Sequence, residues 1–282
     1  MTEQKNLVRD ISDTALWVAY FRAKETERPG GLFRDPYAEK LAGPKGYEIA
    51  AKLPDGDKHE WAWVARTYLF DEFMAREIRE GADLVINLAA GLDSRPYRME
   101  MSPELRWIEV DLPQLVAYKE EILANDKPKC RLERISLDLS DRNARRALFA
   151  KWNREAKKIA VMTEGLLIYF SPEEVASFSR DLAEGEHFRS WVIDLASPFQ
   201  LKLMQQNMGK QLDQAGAPFK FGPAEGAEFF RPNGWVPKDV QGFLKTAAKF
   251  NRAPAELLSL LPEPKGPMTR YPWTGIARLQ KQ

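Results

Sequence analysis

Residues 87–98 read Asn-Leu-Ala-Ala-Gly-Leu-Asp-Ser-Arg-Pro-Tyr-Arg and begin inside the apolar run 84–88. Such a run predicts a buried strand, and small residues directly after a strand let a ligand approach the backbone closely. Asp111 closes a second strand candidate at 107–110 and lies 20 residues after Gly91. An acid at that distance from such a loop can accept hydrogen bonds from ribose hydroxyls. The two features together predict a nucleoside-binding site.

The loop departs from the fingerprint of dinucleotide-binding proteins. That fingerprint, Gly-x-Gly-x-x-Gly, places a pyrophosphate at a helix N-terminus, whereas residues 87–98 contain one glycine, Gly91. Asp93 stands where a diphosphate would lie, and like charges at short range repel strongly. S-adenosylmethionine has an ammonium, a sulfonium and one carboxylate but no phosphate, so a carboxylate in this loop is compatible with it. A tight turn without a ligand remains the alternative reading.

Strand and helix candidates alternate through the middle of the chain, which predicts a doubly wound α/β sheet built from right-handed βαβ units. The further strands are expected at 132–137, 159–162 and 191–195, and the helices at 113–125, 140–157 and 172–184. Residues 1–80 show helical patterns without a convincing strand, including a short helix from Asp35 to about Gly43. A helix at 237–249 and a terminal strand at 271–279 follow.

We therefore expect a single domain over residues 1–282 with four parts. These are a helical cap (1–80), a cofactor-binding core (81–195), a lid insertion rich in glycine, proline and aromatic residues (196–235), and a C-terminal helix and strand (236–282) that complete the sheet.

Composition excludes several classes of protein. The 282 residues carry 42 Lys and Arg against 41 Asp and Glu, without the basic excess typical of nucleic-acid binders. No apolar run approaches the roughly 20 residues of a membrane-spanning helix, and the polar start lacks an apolar signal core. One cysteine and two histidines argue against a zinc cage or any other metal site. We expect a cytoplasmic protein.

Residues 87–98 resemble the N-L-G-A-G-L-D-T-R-x-x-R signature of the leucine carboxyl methyltransferase family. That family includes bacterial S-adenosylmethionine-dependent O-methyltransferases of small molecules. The resemblance runs in consistent order over most of the chain, through 22–25, 33–37, the helix of Arg66, 109–113, 137–139, 163–170, 234–235 and the terminal strand. It implies a class I, Rossmann-like methyltransferase fold. The chain departs from the signature at Ala89, where the family has glycine; a Cβ there fits a negative φ and is expected to crowd the cofactor.

The resemblance implies roles for four polar residues in binding S-adenosylmethionine. Arg66 corresponds to the arginine that clamps the methionine carboxylate, although an internal salt bridge would also satisfy a buried guanidinium. Asp111 takes the ribose hydroxyls and Asp138 the adenine amino group, and for both a helix N-cap is the alternative. Glu164 holds the ammonium and favours the sulfonium, unless it is only a charge at a helix start.

Further residues enter through the same resemblance. Ala89, Gly91, Asp93 and Leu112 contact the cofactor, Leu139 lies beside the adenine ring, and Arg22 reaches the site from the cap, with a solvated surface arginine as the alternative. Tyr169 lines the acceptor site next to Glu164, and these two form the catalytic set; a core tyrosine is the alternative. Aromatic residues of the cap and the lid are expected to wall the acceptor pocket: Trp17, Tyr20, Phe21, Phe199, Phe219 and Phe221.

No histidine stands where a general base would be needed, since His187 precedes the fifth strand and His59 begins the long helix. This favours a small-molecule acceptor with a carboxylate or an acidic hydroxyl, which reacts without such a base. Two other hypotheses remain. An NAD(P)-dependent oxidoreductase on a similar sheet would need the glycines that are missing here, and a non-catalytic cofactor-binding protein would be compatible with Ala89. The oligomeric state and the acceptor stay open.

Overall fold

The computed structural model describes residues 12–52, 56–214, 217–261 and 269–282. Within these ranges the helices are α1 (Ser12–Glu27), α2 (Ala38–Lys52), α3 (Glu60–Arg79), α4 (Arg95–Arg98), α5 (Pro113–Ile122), α6 (Arg142–Glu155), α7 (Pro172–Ala183), α8 (Pro198–Gln214) and α9 (Phe243–Lys249). The strands are β1 (Leu84–Leu88), β2 (Arg106–Asp111), β3 (Arg131–Ser136), β4 (Ile159–Thr163), β5 (Phe188–Ala196), β6 (Trp235–Gly242) and β7 (Thr274–Lys281).

The strands form one seven-stranded sheet in the order β3-β2-β1-β4-β5-β7-β6. The first five strands of this order are parallel, and β7 runs antiparallel to both β5 and β6. Strands β1 and β4 lie in the middle and are buried along their whole length, as expected of central parallel strands covered on both faces. The predicted doubly wound sheet is confirmed, and its two last strands make it mixed.

Helices cover both faces of the sheet. On one face, Phe149 and Trp152 of α6 and Phe178 of α7 pack against the apolar residues of β1, β4 and β5. On the other face, α3 and α9 contribute Phe70, Phe73 and Phe243 among others. Because the chain crosses from β1 to β2 to β3 on one side and returns through β4, the order reverses between β1 and β4. The carboxyl ends of these strands therefore border a crevice, which is where open α/β sheets bind ligands.

The helical cap packs over that crevice. Apolar residues of α1, α2 and α5 form a separate core in which Trp17, Phe21, Leu41 and Leu115 meet Leu92 of the loop after β1. No strand occurs in the described residues before 84, in agreement with the sequence; residues 1–11 and 53–55 of the expected cap lie outside the described ranges. Among the described helices, none combines the length and apolar character that crossing a bilayer requires.

Two predicted element boundaries were wrong. The helix expected to end near Gly43 continues, as α2, to Lys52 after a kink at Gly43, whose φ and ψ are 55° and 179°. Pro44 has no backbone N–H to donate, and this is tolerated because it stands in the first turn after the kink. The helix expected at 237–249 begins only at Phe243, since the preceding residues pair with β7 as β6, with an irregular register between Pro237 and Asp239. Tertiary pairing thus overrides the helical pattern.

The segment 196–235 contains more regular structure than its many glycines and prolines indicated. Helix α8 begins at Pro198, directly after β5, and a 3₁₀ helix occupies Gly226–Asn233. Residues 215–216 of this segment, like 262–268 nearer the C-terminus, fall outside the described ranges. The division into cap, core, lid and completing segment stays a prediction.

Two identical substitutions test the assignment of the core. Phe178 is fully buried against Phe149 and Trp191, whereas Phe199 is 40% exposed on α8. We expect Phe178→Leu to lower the free energy of unfolding by about 1–3 kcal/mol because it leaves a cavity. Phe199→Leu should change it by less than about 0.5 kcal/mol. Urea unfolding of the two variants measures both values, and similar losses would contradict the packing described here.

Candidate functional site

The crevice at the carboxyl ends of the parallel strands holds a cavity of about 260 Å³, named here the central cavity. Its walls come from the loop after β1, the ends of β2, β3 and β4, and the cap helices α1 and α3. All the site residues expected from the sequence line it: Arg22, Arg66, Ala89, Gly91, Asp93, Asp111, Leu112, Asp138, Leu139, Glu164 and Tyr169. The expectation that these residues lie together therefore agrees with the structure, while their individual roles stay predictions.

Asp111 ties the loop after β1 to the neighbouring strand. Its Oδ2 accepts a hydrogen bond from the Gly91 backbone N–H at 2.5 Å, and its Oδ1 accepts one from the Leu112 N–H at 2.7 Å. Burial raises the pKa of the Asp111 carboxyl, against the effect of these two N–H donors. The expected N-cap alternative is not what the structure shows, because the N-cap of α5 is Leu112. Asp111 instead holds Gly91 in place at the cavity wall.

Ala89 adopts a left-handed backbone conformation with φ 59°. The negative φ that a Cβ at this position was expected to need is not observed. A left-handed residue with a Cβ is strained by roughly 1–2 kcal/mol relative to a right-handed one. The Ala90 N–H donates to the Val110 carbonyl at 3.1 Å, so the backbone of the turn is held against β2 despite this strain.

Arg66 lies between two carboxylates and an aromatic ring. Its Nε is 3.1 Å from Glu164 Oε1, its Nη1 is 3.4 Å from Asp194 Oδ2, and its guanidinium carbon is 4.6 Å from the centre of the Trp63 ring. Arg66 therefore forms the internal salt bridge that was the alternative, and it also lines the cavity. Nε is buried without a hydrogen bond of good geometry, so the Glu164 contact is an ion pair rather than a well-formed hydrogen bond.

Arg95 is a central residue of the site, although no sequence pattern assigned it there. Its buried guanidinium donates to Asp71 Oδ1 at 2.7 Å, to Asp93 Oδ2 at 2.9 Å and to Glu164 Oε2 at 2.9 Å. These three acids raise the pKa of Arg95 above its ordinary value, against the effect of burial. Arg95 therefore joins the cap helix α3, the loop after β1 and the end of β4.

Asp93 is held within the protein through both oxygens. Oδ1 accepts the Arg95 backbone N–H at 2.8 Å, and Oδ2 accepts both the Asn87 side chain at 2.7 Å and the Arg95 guanidinium. Although burial opposes it, Arg95 and Lys119 lower the pKa of Asp93 to about 2. The carboxylate is thus charged at neutral pH, and its main partners belong to the protein itself.

The ion pairs continue outward into the cap. Arg98 forms a two-pronged pair with Asp71, with both distances 2.7 Å. Asp35 accepts Arg22 Nε at 2.8 Å and Ser94 Oγ at 2.6 Å, and lies 3.8 Å from Arg98. Arg22 also donates to the Leu92 carbonyl at 2.5 Å. Arg22 is therefore buried against the loop after β1, and the alternative of a solvated surface arginine was wrong.

One continuous set of ion pairs results, named here the ionic chain. It consists of Arg22, Arg66, Arg95 and Arg98 together with Asp35, Asp71, Asp93, Glu164 and Asp194. Within the described ranges these four guanidinium groups face five carboxylates. Of these nine groups, Arg22, Arg66, Asp93, Arg95 and Glu164 also line the central cavity.

The end of the cavity at β3 has a different character. Asp138 is exposed, and its Oδ1 accepts the Ser140 N–H at 2.9 Å. The N-cap of α6 is Asp141, whose side chain accepts the Ala144 N–H, so the N-cap alternative for Asp138 was wrong. Leu139 is buried beside it in the main core. An apolar wall with a carboxylate at its rim suits a flat heterocycle that carries an amino group.

Tyr169, which follows β4, lines the central cavity together with Thr14 of α1. Its hydroxyl hydrogen-bonds with the Thr14 side chain, and burial raises its pKa. His187 precedes β5 and is half-buried, His59 is exposed, and neither lines the central cavity. Tyr169 therefore remains a protonated hydroxyl at neutral pH and is no ready base.

The aromatic residues expected to wall an acceptor pocket do not line the central cavity, and their role at an acceptor stays a prediction. Within the described residues, none of Trp17, Tyr20, Phe21, Phe199, Phe219 and Phe221 lines the central cavity. Trp17, Tyr20 and Phe21 pack the cap, Phe221 belongs to the main core, and Phe219 packs on Leu201 and Tyr169. Trp63 and Phe170 are the aromatic residues that line the cavity beside Tyr169.

We expect Ala89→Gly to raise the free energy of unfolding by about 1 kcal/mol, because glycine adopts a left-handed φ without the Cβ penalty. Ala90→Gly is the matched control in the same turn. Its φ is not positive, so the glycine should destabilise by about 0.5–1 kcal/mol. Chemical denaturation of the three proteins gives both values, and equal signs for the two substitutions would contradict the turn geometry.

The pKa of Asp93 makes a pH-dependent prediction. A lowered carboxyl pKa contributes stability above the unfolded value near 4 and loses it as the pH falls toward the folded value of about 2. Asp93→Asn should therefore lower the free energy of unfolding by about 2 kcal/mol at pH 7, and by progressively less below pH 4. Glu100→Gln, at an exposed ion pair with Lys129, should have little effect at any pH. A loss for Asp93→Asn that grows in acid would contradict the assignment.

Comparisons with known proteins agree with the fold and with the loop. The family model described as leucine carboxyl methyltransferase matches residues 15–183. Among similar proteins, the "Putative S-adenosyl-L-methionine-dependent methyltransferase Franean1_4929" of Parafrankia sp. (strain EAN1pec) is 34% identical over 182 residues, which cover 61% of this chain and 58% of the relative. A Mycobacterium tuberculosis (strain ATCC 25618 / H37Rv) protein of the same description, Rv0281, is 36% identical over 58% of this chain and 59% of its own length. The matched region thus spans less than two thirds of these relatives.

Two solved structures share the fold over almost the whole chain. A DUF574 family protein from Streptomyces avermitilis MA-4680 has a TM-score of 0.60 at 15% identity, covering 95% of this chain and 97% of its own. A "putative methyltransferase" from Thermobifida fusca YX has a TM-score of 0.59 at 15% identity, covering 99% and 97%. The expected Rossmann-like sheet with a helical cap is confirmed. Since the family model matches more than half of the residues, the chain belongs to the leucine carboxyl methyltransferase family.

Proposed function

We propose that this protein is an S-adenosylmethionine-dependent O-methyltransferase that transfers a methyl group to a carboxylate or an acidic hydroxyl of a small molecule. The observation that carries the proposal is the central cavity itself. It combines one arginine between two carboxylates, an acid beside the loop after β1, and no pyrophosphate-binding turn. Family membership and the names of the similar proteins support the same activity.

The residues of the cavity fit S-adenosylmethionine. Arg66 Nε is buried without a hydrogen bond of good geometry, so the guanidinium has capacity for the methionine carboxylate. Glu164 borders the cavity as a carboxylate that would take the ammonium. Each Asp111 oxygen has accepted one backbone N–H, and a carboxylate oxygen has a further lone pair for a ribose hydroxyl. Asp138 and Leu139 would take the amino group and the face of adenine.

The same cavity disfavours a dinucleotide. Asp93 keeps its negative charge at neutral pH because Arg95 lowers its pKa to about 2. A diphosphate beside Gly91 would approach this carboxylate and that of Asp111 at short range, which is electrostatically unfavourable. Only one of the three fingerprint glycines is present in the loop. These features argue against the nicotinamide-dependent oxidoreductase.

The cofactor would supply a methyl group activated by the positive sulfur, so the protein has to bind, align and keep out water. The cap helices α1 and α3 cover the cavity, which restricts access of water to the reacting atoms. Tyr169 and Thr14 both line the cavity, and their hydroxyl groups can orient an acceptor by hydrogen bonds. Because the raised pKa of Tyr169 keeps it protonated, an acceptor that is itself ionised suits this site better than an alcohol.

Substitutions of Arg66 and Asp111 test the cofactor site, with Arg76 of the same helix α3 as the control. We expect Arg66→Ala to raise the dissociation constant of S-adenosylhomocysteine about 10- to 100-fold, since a lost charged contact is worth about 1.5–3 kcal/mol. Asp111→Ala should weaken binding similarly. Arg76→Ala, which removes an ion pair with Asp239 away from the cavity, is the control and should leave the affinity unchanged. Calorimetric titration gives all four values, and parent-like affinity of both site variants would contradict the assignment.

The activity itself requires a separate measurement. S-adenosylmethionine labelled in its methyl group, incubated with a library of small acids, phenols and alcohols, should transfer label to members of the first two classes. Tryptophan fluorescence, reported in the cavity by Trp63, should respond to S-adenosylhomocysteine and not to NADPH. Binding without transfer to any acceptor would favour the non-catalytic alternative, and binding of NADPH alone would favour the oxidoreductase.

A further inference from the structure

Asp194 is a half-buried acid of the ionic chain that no sequence pattern indicated. It stands near the carboxyl end of β5, one strand beyond Glu164, and its side chain is 17% exposed. Oδ1 accepts the Gly165 backbone N–H at 2.9 Å, while Oδ2 faces Arg66 Nη1 at 3.4 Å. The carboxylate is therefore fixed from one side by the loop after β4 and directed toward Arg66 on the other.

The loop after β4 is shaped around this contact. Gly165 has a φ of 70°, and a Cβ at this position would lie 3.3 Å from Arg66 Nη1. Backbone conformation and space thus both require glycine where Arg66 approaches the loop. Arg66 is held between Glu164 and Asp194 by a local structure that leaves little room for another arrangement.

Arg66 faces two carboxylates, so Asp194 has to share this guanidinium with Glu164. Glu164 shares a second arginine, Arg95, but Arg95 also faces Asp71 and Asp93. Burial raises the pKa of Asp194, Glu164 raises it further, and Arg66 acts in the opposite direction. An acid whose pKa is raised by folding makes the charged protein less stable at neutral pH, so internal ion pairing alone does not account for Asp194.

The following inference rests on the proposed function. We propose that Asp194 is a positioning residue that holds Arg66 and supplies negative charge to balance the cationic methionyl part of S-adenosylmethionine. The cofactor carries an ammonium, a sulfonium and a carboxylate, hence one net positive charge. With its carboxylate at Arg66 and its ammonium at Glu164, that net charge lies near the two carboxylates that face Arg66. S-adenosylhomocysteine has no sulfonium and is neutral overall, so Asp194 favours the methyl donor over the product.

Two unreactive analogues of the cofactor separate the effect of ligand charge on affinity from the effect of ligand shape. Sinefungin carries an ammonium-bearing carbon in place of the sulfonium and so keeps the net positive charge, whereas S-adenosylhomocysteine does not. We expect Asp194→Asn to raise the dissociation constant of sinefungin about tenfold and that of S-adenosylhomocysteine by no more than about threefold. The thermal midpoint of the ligand-free variant should equal or exceed that of the parent, because a costly buried charge is gone.

Asp239→Asn is the control on the same sheet. Asp239 also pairs with an arginine, Arg76, at 2.9 Å, but on β6 away from the central cavity. The ratio of the two ligand affinities should stay at the parent value in this variant. If Asp194→Asn does not fold, Asp194→Glu keeps the charge at the same position and should keep the preference for sinefungin; loss of the preference in it would overturn the proposal.

The outcomes distinguish this proposal from the function on which it rests. Equal weakening of both ligands by Asp194→Asn, or no weakening, would overturn the role of Asp194 and leave the cofactor site intact. A lower thermal midpoint with unchanged affinities would show a structural residue only and would also overturn it. A parent protein that binds neither ligand would overturn the proposed function together with this inference.

Discussion

The ion pairs of Arg95 are the interactions on which the site depends. Its buried guanidinium holds Asp71 of the cap, Asp93 of the loop after β1 and Glu164 at the end of β4 in one network. A buried charge of this kind is tolerated only when its partners are in place. Cap, loop and sheet edge are therefore arranged together, because a displacement of any one of them would leave a charge without a partner in the interior.

The same network determines what the central cavity can accept. Asp93 in particular opposes a phosphate beside the loop, because its carboxylate keeps its negative charge at neutral pH. A protein that only needed stability would replace such a cluster with apolar residues. The strained backbone of Ala89 belongs to the same pattern, since unfavourable local conformations persist where the surroundings enforce them and are common at functional sites.

Much of the architecture was predictable because its signals are local. The apolar run of β1, the small residues after it and the proline at the start of α7 each act within a few positions of the sequence. The first five strands and the place of the cavity followed from them. Strand β6 was not predictable in this way, since it exists by pairing with residues of β7 that lie 33 to 46 positions further along the chain.

The site residues show the same difference between local signals and long-range contacts. Asp111 and Glu164 could be expected at strand ends, and family resemblance indicated Arg66 and Asp138. Asp71, which is 24 residues from Arg95 and in another element, has no local signature. Asp194 lies within an apolar strand and gains its meaning only from Arg66, 128 positions away. The left-handed φ of Ala89 is likewise a result of the fold around it.

A crystal structure of the protein soaked with S-adenosylhomocysteine tests the central claim most directly. We expect the ligand in the central cavity, with its carboxylate at Arg66, its ribose at Asp111 and its adenine between Asp138 and Leu139. A cavity that stays closed by the protein's own side chains at saturating ligand, or a ligand that lies elsewhere on the molecule, would contradict it.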